Sequence, residues 1–266
     1  MTVLRLTSLL ISRTLITPHR RTLLDIINKD FLKEFKLNSG NVRNSSSSSQ
    51  NYTITEVKID VPGGGVIAGK LWKSAGQKLT QTKPHPPIIC VHGWLDNAGS
   101  FDNLIPLLMS PDSNAPSTFF ALDLPGHGLT TYCPQVWYDA HIEALIAIRR
   151  VLSHFEWEEV SCIGHSMGGI IGYLFTSFYP NSVHKLVALD NIRTIQHYPL
   201  IAVLKSSLDL VFEVEEKAKL PPKGLKFDEL VQKFYEGRKR QNPLSLEGSR
   251  ILLQRGAIPV QGEKDL

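Results

Sequence analysis

Four short apolar runs recur through the middle of the chain: Pro87-Ile88-Ile89-Cys90-Val91, Phe119-Phe120-Ala121-Leu122, Val160-Ser161-Cys162-Ile163 and Lys185-Leu186-Val187-Ala188-Leu189-Asp190. Each is short, rich in β-branched or aromatic residues and bounded by Gly, Pro or Asp, so each reads as a buried strand. Ahead of them, Tyr52 to Val61 and Val66 to Lys73 flank the turn Pro62-Gly63-Gly64-Gly65 and read as a hairpin. The polar stretch Ser74 to Pro86 reads as a loop. Helical spacing fills the gaps between strands, at Phe101 to Met109 and at Val136 to Phe155. In the second segment Ile142, Leu145, Ile146, Arg149 and Leu152 recur as the stripe expected to lie on a sheet. A third helical pattern begins after Gly164. Strands alternating with helices predict an α/β fold, a mostly parallel sheet with helices on both faces.

The pattern changes after Asn191. Leu200 to Lys219, Lys226 to Gln241 and Leu246 to Arg255 read as helices with many Lys and Glu between their apolar positions. Residues 193–266 therefore form a helical region distinct from the α/β core at 52–192. Residues 1–51 read as lying outside the fold. Arg5, Arg13, Arg20 and Arg21 are spread among Leu, Ile, Ser and Thr, with no acidic residue before Asp25, the composition of a mitochondrial transit peptide. Leu6, Leu9, Leu10 and Arg13 fit an amphipathic helix, and Arg13 interrupts any secretory core. Without targeting, the segment is a ragged terminus on a cytoplasmic protein. Asn38 to Asn51, with five serines in a row from Ser45, reads as a disordered linker.

Composition adds exclusions more than identities. At 266 residues the chain is long enough for one α/β domain with a large core. Its net charge of +4 owes much to the first segment. Arg238-Lys239-Arg240, like Glu215 and Glu216, reads as a solvated face, because a nucleic-acid interface needs a broader basic stripe. No stretch reaches the roughly 18–20 apolar residues of a membrane span. Cys90, Cys133 and Cys162 give neither metal spacing nor an even disulfide set, and the chain implies no metal and no organic cofactor. Nothing in it sets the oligomeric state.

The chemistry is concentrated where the third run ends, at Gly164-His165-Ser166-Met167-Gly168-Gly169. Strand, tight turn and helix follow one another, with a serine between two glycines. This is the form of a nucleophile elbow, which raises the Ser166 hydroxyl above the sheet edge and leaves the Met167 N–H free for an oxyanion. The small residues two positions to either side let strand and helix pack closely. His165 reads as a neighbour that shapes the turn, since adjacent side chains there point apart. Upstream, the first buried strand runs into His92-Gly93-Trp94-Leu95-Asp96-Asn97, where Trp94 would supply the second oxyanion N–H. The alternative for Trp94 is a core aromatic whose backbone takes no part. His92 reads as bracing the loop.

The H-G-W-L-D-N, D-L-P-G-H-G and G-H-S-M-G-G segments together resemble the α/β-hydrolase superfamily, in its order and spacing. The longer H-G-W-L-D-N-A-x-S-F-D run and the L-L-Q-R-G run at Leu252 to Gly256 resemble the serine hydrolase-like (kraken-type) proteins within it, from about Tyr52 onward. The resemblance implies a serine esterase-like enzyme acting on a small-molecule, ester-like substrate, with residues 193–266 as a helical cap over the site. It disfavours dehalogenase and epoxide hydrolase chemistry, which uses an Asp where this chain has Ser166. Asp123 and His127 precede the serine, whereas the family order is serine, acid, histidine. They read as a loop stabilised by Asp123.

The family's acid and base belong late in the chain. Asp190 ends the strand after the nucleophile helix, where some members carry the acid; others carry it one strand later. The only histidine beyond Asp190 is His197, at the start of the presumed cap. The chain thus reads as lacking the last core strands, the loop histidine and any cover for the edge of its last strand. Two functions follow: a serine hydrolase that is incomplete as written, or an inactive pseudohydrolase or binding protein that keeps the pocket.

Overall fold

The computed structural model describes residues 2–6, 52–62, 64–75, 85–109, 118–131, 140–192, 224–239 and 243–258. The chain divides into two compact units, Met1–Ile192 and Arg193–Leu266. The first is built on a seven-stranded sheet. Its strands are β1 (Thr2–Leu6), β2 (Tyr52–Asp60), β3 (Val66–Ser74), β4 (Ile88–Val91), β5 (Thr118–Leu122), β6 (Val160–His165) and β7 (Val183–Leu189), in the order β1-β7-β6-β4-β5-β3-β2. The β2–β3 hairpin and its β3–β5 pairing are antiparallel, and every other pairing is parallel. The expected mostly parallel sheet is therefore the observed one.

Strand alternation explains why the runs are apolar at every position. Ile89 and Val91 point to one face with Phe120 and Leu122, against Ala144, Ala147, Ile148, Val151, Ile171 and Phe175. Ile88 and Cys90 point to the other with Phe119 and Ala121, against Phe101, Ile105 and Leu108. Both faces are covered, so neither tolerates polar residues. Each large side chain buried this way contributes about 1.5–3 kcal/mol. Burial also pushes the Cys162 thiol up to about 12 and raises Cys90, so both behave as inert core residues.

The helices of this unit are α1 (Leu104–Leu108), preceded by a 3-10 turn at Ala98–Phe101, α2 (Ala140–His154) and α3 (Met167–Phe178). The expected sheet-facing stripe of α2 is corrected. Ile142 and Ile146 are exposed, and the buried face is Ala144, Leu145, Ala147, Ile148, Val151 and Leu152. The two alanines allow close approach to the sheet, a signal that counting large apolar residues misses.

A second departure concerns the start of the chain. Thr2–Leu6, in the segment expected outside the fold, forms β1 and pairs in parallel with β7 from Thr2↔Lys185 to Leu6↔Leu189. An open strand edge is a template for another strand, and here the edge expected to be uncovered is occupied. The linker at residues 38–51 lies outside the described residues.

The second unit contains α4 (Phe227–Arg238) and α5 (Leu246–Gly256), while Leu200 to Lys219 lies outside the described residues. Ser245 caps α5 by accepting the Gly248 N–H at 2.9 Å. Val231, Leu252 and Leu253 are buried. The basic run is engaged locally: Lys239 pairs with Glu236 at 2.7 Å, and Arg238 lies over the Phe234 ring. Among the described residues no helix is long and apolar enough to cross a membrane.

Candidate active site

Parallel strands β4, β5, β6 and β7 all end at one edge of the sheet, and the candidate site residues and the residues that brace them follow those ends. After β4 comes His92-Gly93, after β5 Asp123, after β6 Ser166 and after β7 Asp190. Such an edge gathers polar backbone ends and loops above a rigid apolar base.

Ser166 sits between β6 and α3 with φ 51 and ψ −115. Non-glycine residues rarely adopt this region, and holding one there costs on the order of 1–3 kcal/mol. The neighbours enforce it. The Ser166 N–H donates to the Leu189 carbonyl at 2.9 Å, and the Ser166 carbonyl accepts from Gly169 N–H at 2.9 Å. A β-carbon on Gly164 would overlap the Gly168 carbonyl, and one on Gly169 would overlap the Asn191 carbonyl. The glycines are thus required by contact between strand ends and helix. Met167 is the first residue of α3, so its N–H has no acceptor within the helix.

The loop after β4 lies against this turn. A β-carbon on Gly93 would stand 3.3 Å from Ser166 Cβ and 3.0 Å from His165 Nδ1. A larger residue there would have to push His165, Asp96 or Ser166 aside by a few tenths of an ångström, so glycine favours this close approach of the backbone leading to Trp94. Trp94 itself is 60% exposed, with its ring edge on His127 at 5.5 Å, so it is not a core aromatic. His92 is fully buried; its Nε2 accepts the Leu124 N–H at 3.0 Å, and its Nδ1 lies 2.7 Å from the Gly93 carbonyl. Those contacts fix the neutral tautomer with the proton on Nδ1. Burial lowers its pKa to about 4, which keeps it neutral.

Asp123 is buried and divides its carboxylate between the Ala98 N–H at 2.8 Å and the Leu129 N–H at 2.9 Å. It therefore knits the β4 and β5 loops together, the structural task expected of it. His165 stands with Nδ1 3.6 Å from the carboxylate of Asp96, across Gly93. Sequence reasoning assigned no role to Asp96. The signal was present as a carboxylate four residues after His92, but only the fold brings it to the elbow.

Asp190 follows β7 with φ 76 and is exposed; Ser166 reaches the same strand end through Leu189. Among the described residues no side chain is hydrogen-bonded to the Ser166 hydroxyl, and no group of three His, Cys, Asp or Glu could hold a metal ion. His197 lies outside the described residues. The structure thus brings together Ser166, Met167, Gly93-Trp94 and the end of β7.

A family model described as the alpha/beta hydrolase fold matches residues 86–238. Serine hydrolase-like protein 2 of Homo sapiens is 36% identical over 215 residues, covering 78% of this chain and 62% of that protein. The serine hydrolase-like protein of Mus musculus is 32% identical, covering 77% of this chain and 62% of that protein. A second Homo sapiens serine hydrolase-like protein is 38% identical over 61% of this chain and 75% of its own length. The chain spans less than two thirds of the length of the first two. Among solved structures, a hypothetical protein from Pseudomonas aeruginosa PAO1 superposes with TM-score 0.60 at 27% identity, covering 78% of this chain and 67% of that one. The thioesterase domain from the curacin biosynthetic pathway, at 22% identity and TM-score 0.58 over 79% of this chain and 70% of its own, shares the fold. With its elbow, its parallel sheet and these relatives, the chain belongs to the α/β-hydrolase fold family, among the serine hydrolase-like proteins.

Proposed function

We propose that the chain is a serine hydrolase for small ester-like substrates, with Ser166 as nucleophile, the N–H groups of Trp94 and Met167 as oxyanion donors and Asp190 as the acid. The observation that carries this reading is the strained backbone of Ser166, held at the carboxyl ends of parallel strands. Leu95, Glu156 and Asp190 also have positive φ, but Ser166 is the one placed at a strand–helix turn, where such strain has a clear chemical purpose. The Ser166 oxygen would attack the ester carbonyl carbon, and the carbonyl oxygen would take the charge between the two N–H groups. Collapse expels the alcohol and leaves an acyl-serine, which water then hydrolyses. One oxyanion donor is worth about 10²–10³ in rate.

The serine proton needs an acceptor, and no described side chain is hydrogen-bonded to the hydroxyl. That observation favours a second reading, a pocket-bearing protein without ordinary turnover. A fluorophosphonate probe separates the two. Slow covalent labelling that disappears in Ser166→Ala supports a weak hydrolase, since residual terms alone retain roughly 10³–10⁴-fold acceleration over water. Labelling absent in the folded wild type supports the second reading. Turnover in the ordinary range of about 1–10³ s⁻¹ would place a base within reach, and His197 would be the first residue to replace.

A further inference from the structure

The loops after β4 and β5 hold each other by reciprocal histidine contacts. His92, in the first loop, accepts the backbone N–H of Leu124 in the second at 3.0 Å. His127, in the second, accepts the backbone N–H of Leu95 in the first at 3.2 Å. The other nitrogen of His127, Nδ1, lies 2.9 Å from the Pro125 carbonyl and so carries the ring proton. The ring also packs 5.1 Å from His92 and meets the Trp94 ring edge-on at 5.5 Å. Leu95 has φ 59, a left-handed conformation that a leucine keeps only when something holds it there. The leucine side chain is 63% exposed; the residue lies in a turn closed by the Asp96 N–H donating to the Gly93 carbonyl at 3.2 Å, and His127 braces that turn from the neighbouring loop.

We propose that His127 is a positioning residue for the oxyanion hole: it fixes the Trp94 side chain and the Leu95 N–H, and so aims the intervening Trp94 backbone at Ser166. The inference rests on the hydrolase reading above. Gly93 contacts the elbow from one side of Trp94, and His127 holds the residue on the other. The Trp94 N–H is therefore fixed between two anchored points, the arrangement that a preorganised donor requires. His92 anchors the loop at its root, inside the core, whereas His127 anchors its outer lip. Gly128 of D-L-P-G-H-G serves the same end: a β-carbon on it would overlap the Asp123 carboxylate that holds the loop.

The test uses two variants of the full chain and two readouts. His127→Phe keeps a ring against Trp94 and His92 but removes the acceptor, whereas His127→Gln restores an acceptor oxygen near Nε2. Hydrogen exchange of the Leu95 amide, followed by NMR, should quicken by about two- to tenfold in the Phe variant, the equivalent of one lost hydrogen bond. It should stay near wild type in the Gln variant. With a p-nitrophenyl ester, kcat should fall about 10²-fold in the Phe variant, as expected for a reacting group displaced by about an ångström, with KM held. The Gln variant should recover most of that loss. Equal Leu95 exchange in wild type and Phe variant, or equal loss of kcat in both variants, overturns the proposal. Ser166→Ala, assayed alongside, tests the parent reading separately: if it hydrolyses the ester as fast as wild type, the nucleophile assignment fails, while Leu95 exchange still decides the brace.

Discussion

Gly168 lies so close to the carbonyl oxygen of Val91 that a β-carbon on it would overlap that oxygen, with the His92 carbonyl only 2.7 Å away. The first turn of α3 is thus seated directly on the end of β4, and the Ser166 turn has its shape because two backbones touch. Gly168→Ala should destabilise the fold by at least about 2 kcal/mol, since overpacking against backbone cannot be relieved by a side-chain rotation. For a chain of this size that is a drop of roughly 4–8 °C in Tm. Gly237, late in α4, has nothing within 4 Å, and alanine there should stabilise its helix by about 0.5–1 kcal/mol. Thermal melts of the two variants should move in opposite directions. A Gly168→Ala protein as stable as wild type would mean that the elbow is not seated on β4.

His92 makes stability depend on pH. Its pKa is about 4 in the fold because burial disfavours the charged ring, and about 6.5 in the unfolded chain. Between those values the unfolded chain binds the extra proton. The contribution is therefore fully present above pH about 6.5 and is lost as pH falls toward 4, by a total of about 3 kcal/mol. Urea midpoints of wild type and His92→Gln, taken at pH 7, 5.5 and 4.5, isolate this part from the carboxylates. Wild type should lose stability more steeply across that interval, and parallel losses would remove His92 as the cause.

The sequence makes the sheet legible because each buried run is largely apolar on both faces and is bounded on at least one side by a Gly, Pro or Asp. The elbow is legible because Gly164 and Gly168, four residues apart, meet across the turn, although Gly168 and Gly169 are also forced by the distant backbones of Val91 and Asn191. What sequence reading misses depends on contacts distant in the chain. The Asp96–His165 approach and the His127–Leu95 bond join residues 69 and 32 positions apart, and no local pattern encodes them. The sheet-facing side of α2 is misread because alanines, which allow close packing, carry a weaker apolar signal than Ile142 and Ile146. Thr2–Leu6 is misread because its pairing is set by the open edge of β7 and not by its own periodicity.

The arginine-rich, acid-poor first segment predicts import into mitochondria. Residues 1–50 fused to a fluorescent reporter should direct it to mitochondria, with cleavage before Tyr52. Such cleavage would also remove β1 and reopen the β7 edge, so the processed chain should lose stability or gain a tendency to associate. Diffuse reporter fluorescence throughout the cytosol would reject the targeting reading and leave β1 as a permanent part of the sheet.

Asp190 separates the acid assignment from a purely structural role. The residue sits at φ 76, a conformation asparagine accepts and alanine resists, so the two substitutions distort the backbone unequally. Asp190→Asn should melt closer to wild type than the Ala variant, because asparagine keeps the left-handed backbone and a local polar group. Asp190→Ala should be less stable than the Asn variant, because alanine lacks the short polar side chain that hydrogen-bonds locally in the left-handed region. If Asp190 orients a catalytic base, both variants should lose most of the Ser166-dependent turnover, because replacing a triad carboxylate by its amide costs about 10⁴-fold in kcat. Ester hydrolysis by the Asn variant at the wild-type rate, with the Ser166→Ala background subtracted, would move the acid away from the end of β7.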